Sequence, residues 1–108
     1  MKTLDMMKNK ISHGDVDQII IIASSKDNGL SLEKELKKNY FKDFKLSYRI
    51  LTRLKTSDGV NYGRTITILW NNWWKNKEML EYVRDNLINV PGVRALGDLE
   101  PRWLTYND

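Results

Sequence analysis

The sequence predicts an α+β domain with the element order β-α-β-β-α-β behind a short N-terminal helix. Three observations predict it. Strand and helix periodicities alternate along the chain in that order. Four consecutive isoleucines at residues 19–22 are typical of a central strand that is covered on both faces. The dipeptide Asp58-Gly59 stands between two strand patterns, which favours a hairpin.

The first element is a short amphipathic helix within residues 1–14, and residues 15–108 form a single α+β domain. Leu4, Met7 and Ile11 lie at helical spacing, and His13-Gly14 provides a helix end. So short a helix is unstable alone. We therefore expect its apolar stripe to pack on the sheet or to form a homodimer.

The isoleucine strand is followed by a polar loop and a second helix. The loop spans residues 24–29 and ends in Asn28-Gly29, a turn signal. Ser31 is a suitable N-cap. Leu32, Leu36 and Tyr40 then recur every fourth residue, which predicts a helix with a narrow buried stripe.

Residues 45–55 predict a strand with one apolar and one basic face. Successive strand residues point to opposite faces. The basic face carries Lys45, Arg49, Arg53 and Lys55. The next strand covers residues 64–70. A two-residue turn at Asp58-Gly59 would place Arg49 beside Ile68 on the apolar face, so we expect a bulged or longer loop.

The C-terminal part predicts a helix from about Lys75 to Ile88, ended by Pro91-Gly92. A last strand covers residues 93–99 and is broken at Pro101. This element order is that of a ferredoxin-like sandwich. In that plan the first and third strands are central, and the second and fourth are edges.

Composition narrows the functional classes. The 108 residues carry a net charge of +4, and eleven of the 18 basic residues but only three of the 14 acidic ones lie between Lys34 and Lys77. Such asymmetry favours a polyanionic partner. The chain has no cysteine, which excludes disulfides and thiolate chemistry. No apolar stretch has signal-peptide or membrane-spanning length, so we expect a cytoplasmic protein that does not interact with membranes.

Catalytic motifs are absent from the sequence. His13 is the only histidine and lies at a helix end. Asp15 and Asp17 stand close together but lack a third ligand at metal spacing. There is no P-loop, dinucleotide fingerprint or nucleophile elbow. We therefore expect a non-enzymatic protein without cofactor or metal.

Two segments carry candidate binding residues. The basic strand face would be joined by Thr65 and Thr67 of the next strand, giving a cationic, hydroxyl-rich sheet that could follow phosphates. The alternative is an ordinary solvent-exposed face on which edge lysines discourage aggregation. A second segment contains Trp74, Lys75 and Lys77. Tryptophan beside cations is typical of single-strand binding, and an exposed tryptophan is also a common anchor of protein interfaces. Trp70 and Trp73 share faces with core residues, so we expect only Trp74 to be partly exposed.

These features predict a small nucleic-acid-binding regulatory protein that uses charge rather than base-edge contacts. The third strand lacks the glycine and alternating aromatics of an RNA-recognition motif. The alternative is a protein-interaction module, an adaptor or inhibitor that docks on a larger protein or nucleoprotein complex. A cysteine-free chain of this size and composition would suit a phage or mobile-element accessory protein.

Overall fold

The computed structural model describes residues 2–54 and 61–96 of the chain. Its elements are helix α1 (Lys2–Ser12), strand β1 (Gln18–Ile22), helix α2 (Lys26–Glu35) with a π-helical turn at Leu36–Tyr40, strand β2 (Ser47–Leu51), strand β3 (Thr65–Trp70), a 3-10 turn at Trp73–Lys75, helix α3 (Lys77–Tyr82) with a π-helical turn at Val83–Leu87, and strand β4 (Val93–Leu96). The predicted last strand is thus described as far as Leu96.

The four strands form one sheet in the order β2-β1-β3-β4. Strand β1 pairs with β2 on one side and with β3 on the other. The isoleucine strand is therefore central and the basic strand lies at an edge, as the sequence predicts. The mixed α and β composition is also confirmed.

The ferredoxin-like arrangement is not confirmed, because all three strand pairings are parallel. Strands β2 and β3 do not form a hairpin, since β1 lies between them. Ile20 pairs with Arg49 on one side and with Thr67 on the other. The predicted hairpin and its register are therefore wrong. Asp58-Gly59 itself lies outside the described residues.

Helices cover both faces of this sheet. Ile19 and Ile21 pack against α1 and α2, whereas Ile20 and Ile22 pack against α3. All four side chains are fully buried, which explains why the run does not alternate with polar residues. Helix α2 connects β1 to β2, and α3 connects β3 to β4 on the opposite face. This is a doubly wound arrangement.

Helix α1 belongs to the core beneath α2. Leu4, Met7 and Ile11 are buried in one cluster with Ile19 and Ile21. The prediction that this stripe packs on the sheet is confirmed. The homodimer through the same three residues is wrong, because their own chain already covers them. Gly14 follows the helix with a φ of +79°, the left-handed conformation expected after a helix end.

Helix α2 begins six residues earlier than predicted. The Ser25 hydroxyl caps it by accepting the N–H of Asn28, so Ser31 is not the cap. Asn28-Gly29 is helical rather than a turn. A Cβ at Gly29 would lie 2.5 Å from Ile50 Cγ2. Glycine is therefore needed here for close packing of α2 on β2, and not for a turn.

Candidate functional site

The residues that the sequence singles out for binding do not form one surface. Lys45 precedes β2, Arg49 lies within it and Arg53 follows it. Trp74, Lys75 and Lys77 follow β3. Lys55 lies outside the described residues. Parallel strands put the two ends of β2 at opposite edges of the sheet, and this separates Lys45 from the other exposed members of the set.

Thr65 and Thr67 are both buried. Their residues are 7% and 1% exposed, respectively. Thr67 shares the face of Ile20, which α3 covers. The Thr65 hydroxyl donates to the Gly63 carbonyl at 3.0 Å. The predicted open, hydroxyl-rich sheet face is therefore wrong, because a helical layer occupies it.

Arg49 lies half-buried on that covered side, near Tyr62. Burial and a 2.7 Å hydrogen bond to the Tyr82 hydroxyl raise the pKa of Tyr62 well above its usual range. The charge of Arg49 opposes this shift of the pKa. Arg49 thus interacts with the α3 side of the molecule rather than forming part of an exposed cationic track.

Four residues of the predicted set lie at the carboxyl edge of the sheet, which is the side where the parallel strands end. They are Arg53, Trp74, Lys75 and Lys77. Asn76, which caps α3, donates to the Thr52 carbonyl at 2.7 Å. The Glu78 carboxylate accepts the Leu54 N–H at 2.9 Å. These two contacts hold the segment after β2 against the start of α3, so sequence-distant cations share one edge.

The tryptophans at this edge differ in burial. Trp73 is fully buried in the core under α3, and Trp74 packs edge-on against it with ring centroids 6.3 Å apart. Trp74 is half-buried, as predicted. The sequence predicts a core position for Trp70, but this residue is also only half-buried and packs on the α1 and α2 side.

A second cationic surface lies at the other end of β2. It is an open groove of about 560 Å³ between the end of α2 and the start of β2. Its lining residues are Lys37, Phe41, Lys42, Phe44, Lys45, Leu46, Ser47 and Tyr48. We call it the basic groove. Three of these residues are lysines and three are aromatic, and none is acidic.

The loop that forms the basic groove is anchored by Phe41. This ring is 1% exposed and belongs to the core. The Phe41 N–H donates to the Leu36 carbonyl at 2.6 Å, and the Phe44 N–H donates to the Phe41 carbonyl at 3.1 Å. The chain therefore turns sharply after α2, and Lys42 is exposed on the turn.

The groove lysines differ in how they are engaged. Lys37 forms an ion pair with Glu33 at 3.1 Å, and its ammonium lies 5.0 Å from the centre of the Tyr48 ring. Lys42 and Lys45 are exposed, and neither has an ion pair within the part of the chain that the structure describes. These two lysines can approach an anion without first breaking a salt bridge.

Tyr48 remains neutral at ordinary pH. Burial, and secondarily the charge of Glu33, raise its pKa to about 12. The phenol therefore adds no negative charge to the groove. Asp43, the acidic residue of the loop, is exposed and does not line the groove. The lining thus combines positive charge with aromatic surface.

The sequence-based prediction missed Lys37 and Lys42. Both lie in the basic stretch that begins at Lys34. The usable signal was this stretch together with Phe44 and Tyr48. Only the turn after α2 brings helix, loop and strand residues into one concavity, and strand periodicity carries no information about that turn.

Among residues 2–54 and 61–96, no three or more His, Asp or Glu side chains are grouped so as to hold a metal ion. In the same ranges, no helix combines the length and apolar character needed to cross a membrane. Comparison of the chain with protein-family models, curated proteins and solved structures finds no match.

Proposed function

We propose that this protein is a cytoplasmic, non-enzymatic regulator that binds nucleic acid in the basic groove. The observation that supports the proposal is a concavity whose lining, among the residues that the structure describes, holds three lysines, three aromatic rings and no acidic residue. Phosphates attract lysines irrespective of sequence, and the half-buried rings of Phe44 and Tyr48 offer surfaces on which bases can stack. The ligand contacts the groove rather than a sheet face.

Lys42 and Lys45 supply most of the attraction for phosphate in this proposal. Lys37 contributes less, because Glu33 already neutralises much of its charge at 3.1 Å. Each phosphate contact adds about 0.7 to the slope of log affinity against log salt concentration for a single strand. Loss of the two lysine contacts should therefore reduce the slope by about 1.4.

The test is fluorescence anisotropy with labelled oligonucleotides across a salt series. The groove variant carries Lys42→Glu and Lys45→Glu. Its matched control carries Lys75→Glu and Lys77→Glu, the same charge change on exposed lysines at the opposite edge. We expect the groove variant to lose binding and the control to lose much less affinity, because charges farther from the ligand than about 10 Å are largely screened at 0.1 M salt. Equal losses in the two variants would refute the groove as the binding site.

A second candidate function is protein docking at the carboxyl edge. Half-buried Trp74 lies on the same edge as Leu54, which is 50% exposed. An aromatic and an aliphatic side chain among cations are typical of an interface centre with a charged rim. This function predicts a complex with a protein that survives high salt and is lost in Trp74→Ala. Affinity capture from lysate at low and high salt, with Trp74→Ala as the comparison, tests it.

A further inference from the structure

We propose that the nucleic acid bound in the basic groove is single-stranded, and that an unpaired base stacks on the ring of Tyr48. This inference rests on the proposed function and specifies its ligand. The basic groove combines two kinds of surface in one concavity. Exposed Lys42 and Lys45 provide charge, while half-buried Phe44 and Tyr48 provide rings.

Tyr48 is well placed to support a base. It lies in strand β2 beside Ile19, and its packing against the core under α2 fixes the position of the ring. A ring on a rigid strand loses little conformational freedom when a ligand stacks on it. Its neutral hydroxyl, whose pKa burial raises to about 12, does not repel a neighbouring phosphate.

The present neighbour of the Tyr48 ring is replaceable. The Lys37 ammonium lies 5.0 Å from the ring centre, and more than half of the Lys37 side chain is exposed to solvent. An exposed cation–π contact is weak. An incoming base can take the position of the ammonium, and the flexible lysine can then turn towards the phosphate beside that base.

The concave shape disfavours a duplex. The bases of a duplex are paired and stacked on one another, so their faces are not accessible to rings that line a groove. Recognition by stacking on aromatic side chains requires splayed or unpaired bases. A volume of about 560 Å³ lies in the range of pockets that hold one small ligand. The groove therefore suits a nucleotide from a strand that continues past it.

The experiment compares three labelled ligands of about 12 nucleotides, a length within the usual single-strand site size. They are a single-stranded oligothymidylate, a duplex of the same length, and an abasic strand that keeps the phosphates but lacks the bases. Each is titrated with the wild-type protein at low salt. Tyr48→Leu removes the ring but retains apolar packing, and Tyr40→Leu is its control on an exposed tyrosine outside the groove lining. Circular dichroism checks that each variant is folded.

We expect the single strand to bind about 5- to 150-fold more tightly than the abasic strand, and Tyr48→Leu to remove this difference without changing the salt slope. Equal affinity for the single strand and the abasic strand would overturn the stacking inference while leaving charge-led nucleic-acid binding intact. Preference for the duplex would also overturn the inference. A folded wild-type protein that binds none of the three ligands would refute the proposed function itself. The ligand comparison uses wild-type protein, so it remains decisive even if Tyr48→Leu does not fold.

Discussion

Helix α2 approaches strand β2 so closely that replacing Gly29 by alanine should destabilise the protein, although alanine is the better helix former. A Cβ at this position would lie 2.5 Å from Ile50 Cγ2. Carbon atoms in contact normally lie about 3.5–4.0 Å apart. The new methyl group would overlap Ile50 by about 1 Å. A γ-methyl on a β-branched side chain has little freedom to move aside.

Two opposing effects set the magnitude. Alanine in a helix interior is favoured over glycine by about 1 kcal/mol. Overpacking of a well-packed site costs about 1–3 kcal/mol, and an overlap of this size belongs in the upper half of that range. Gly29→Ala should therefore lower the free energy of unfolding by about 1–2 kcal/mol. In an Ile50→Ala background the clash disappears, and the same substitution should stabilise the protein by about 0.5–1 kcal/mol.

Urea denaturation, monitored by circular dichroism, measures the free energy of unfolding of four proteins. They are the wild type, Gly29→Ala, Ile50→Ala and the double variant. Ser31→Ala is a control, because Ser31 is an exposed residue of the same helix. It should be neutral or slightly stabilising. The sign reversal at Gly29 is the informative result. If Gly29→Ala stabilised the wild-type protein, α2 would not pack on β2 as described, and the doubly wound arrangement would be in error at this point.

Three further predictions concern stability. Asn76→Ala should lower the free energy of unfolding, measured by urea denaturation, by about 2–3 kcal/mol, because it removes both the cap of α3 and the hydrogen bond to Thr52. An unchanged denaturation midpoint would contradict this role of Asn76. Met7→Ala should lower the free energy of unfolding by about 2–5 kcal/mol, since Met7 is 1% exposed within its own chain. The mass measured by sedimentation should not change, and a change of mass would indicate a dimer through this stripe. The folded state raises the pKa of Tyr48 to about 12 from the usual value of about 10, so its contribution to stability is complete below pH 10 and disappears as the pH rises towards 12. Tyr48→Phe should therefore weaken the alkaline loss of stability in a pH series of urea denaturations, and an identical pH profile would contradict this.

Periodicity was sufficient to identify most of the elements. The four isoleucines at residues 19–22 predict a strand between two apolar layers, and the central position of that strand in the sheet follows. The spacing of Leu4, Met7 and Ile11 likewise specifies a buried helical stripe. In both cases the side chains themselves carry the information, because burial depends on the face on which each one lies.

Strand direction could not be obtained in this way. Alternation in residues 45–55 fits an antiparallel or a parallel edge strand equally well. The turn signal Asp58-Gly59 favours a hairpin, and therefore an antiparallel pair. A hairpin predicts that Thr65 and Thr67 share an open face with the cations. Both are in fact buried, and Thr67 shares the face that α3 covers, because helices pack on both sides of a parallel sheet. Asn28-Gly29 misled for a related reason, since a glycine needed for packing has the same sequence appearance as one needed for a turn.

The most direct test of the central claim is a heteronuclear NMR titration of the full chain with a single-stranded oligonucleotide. Backbone amides report contacts residue by residue, so the titration distinguishes the two cationic surfaces. We predict that the largest shifts fall on residues 41–48, which form the loop and strand side of the basic groove, and that the carboxyl-edge residues 74–77 change little. Shifts concentrated on residues 74–77, or no shifts at low salt, would contradict the assignment of nucleic-acid binding to the basic groove.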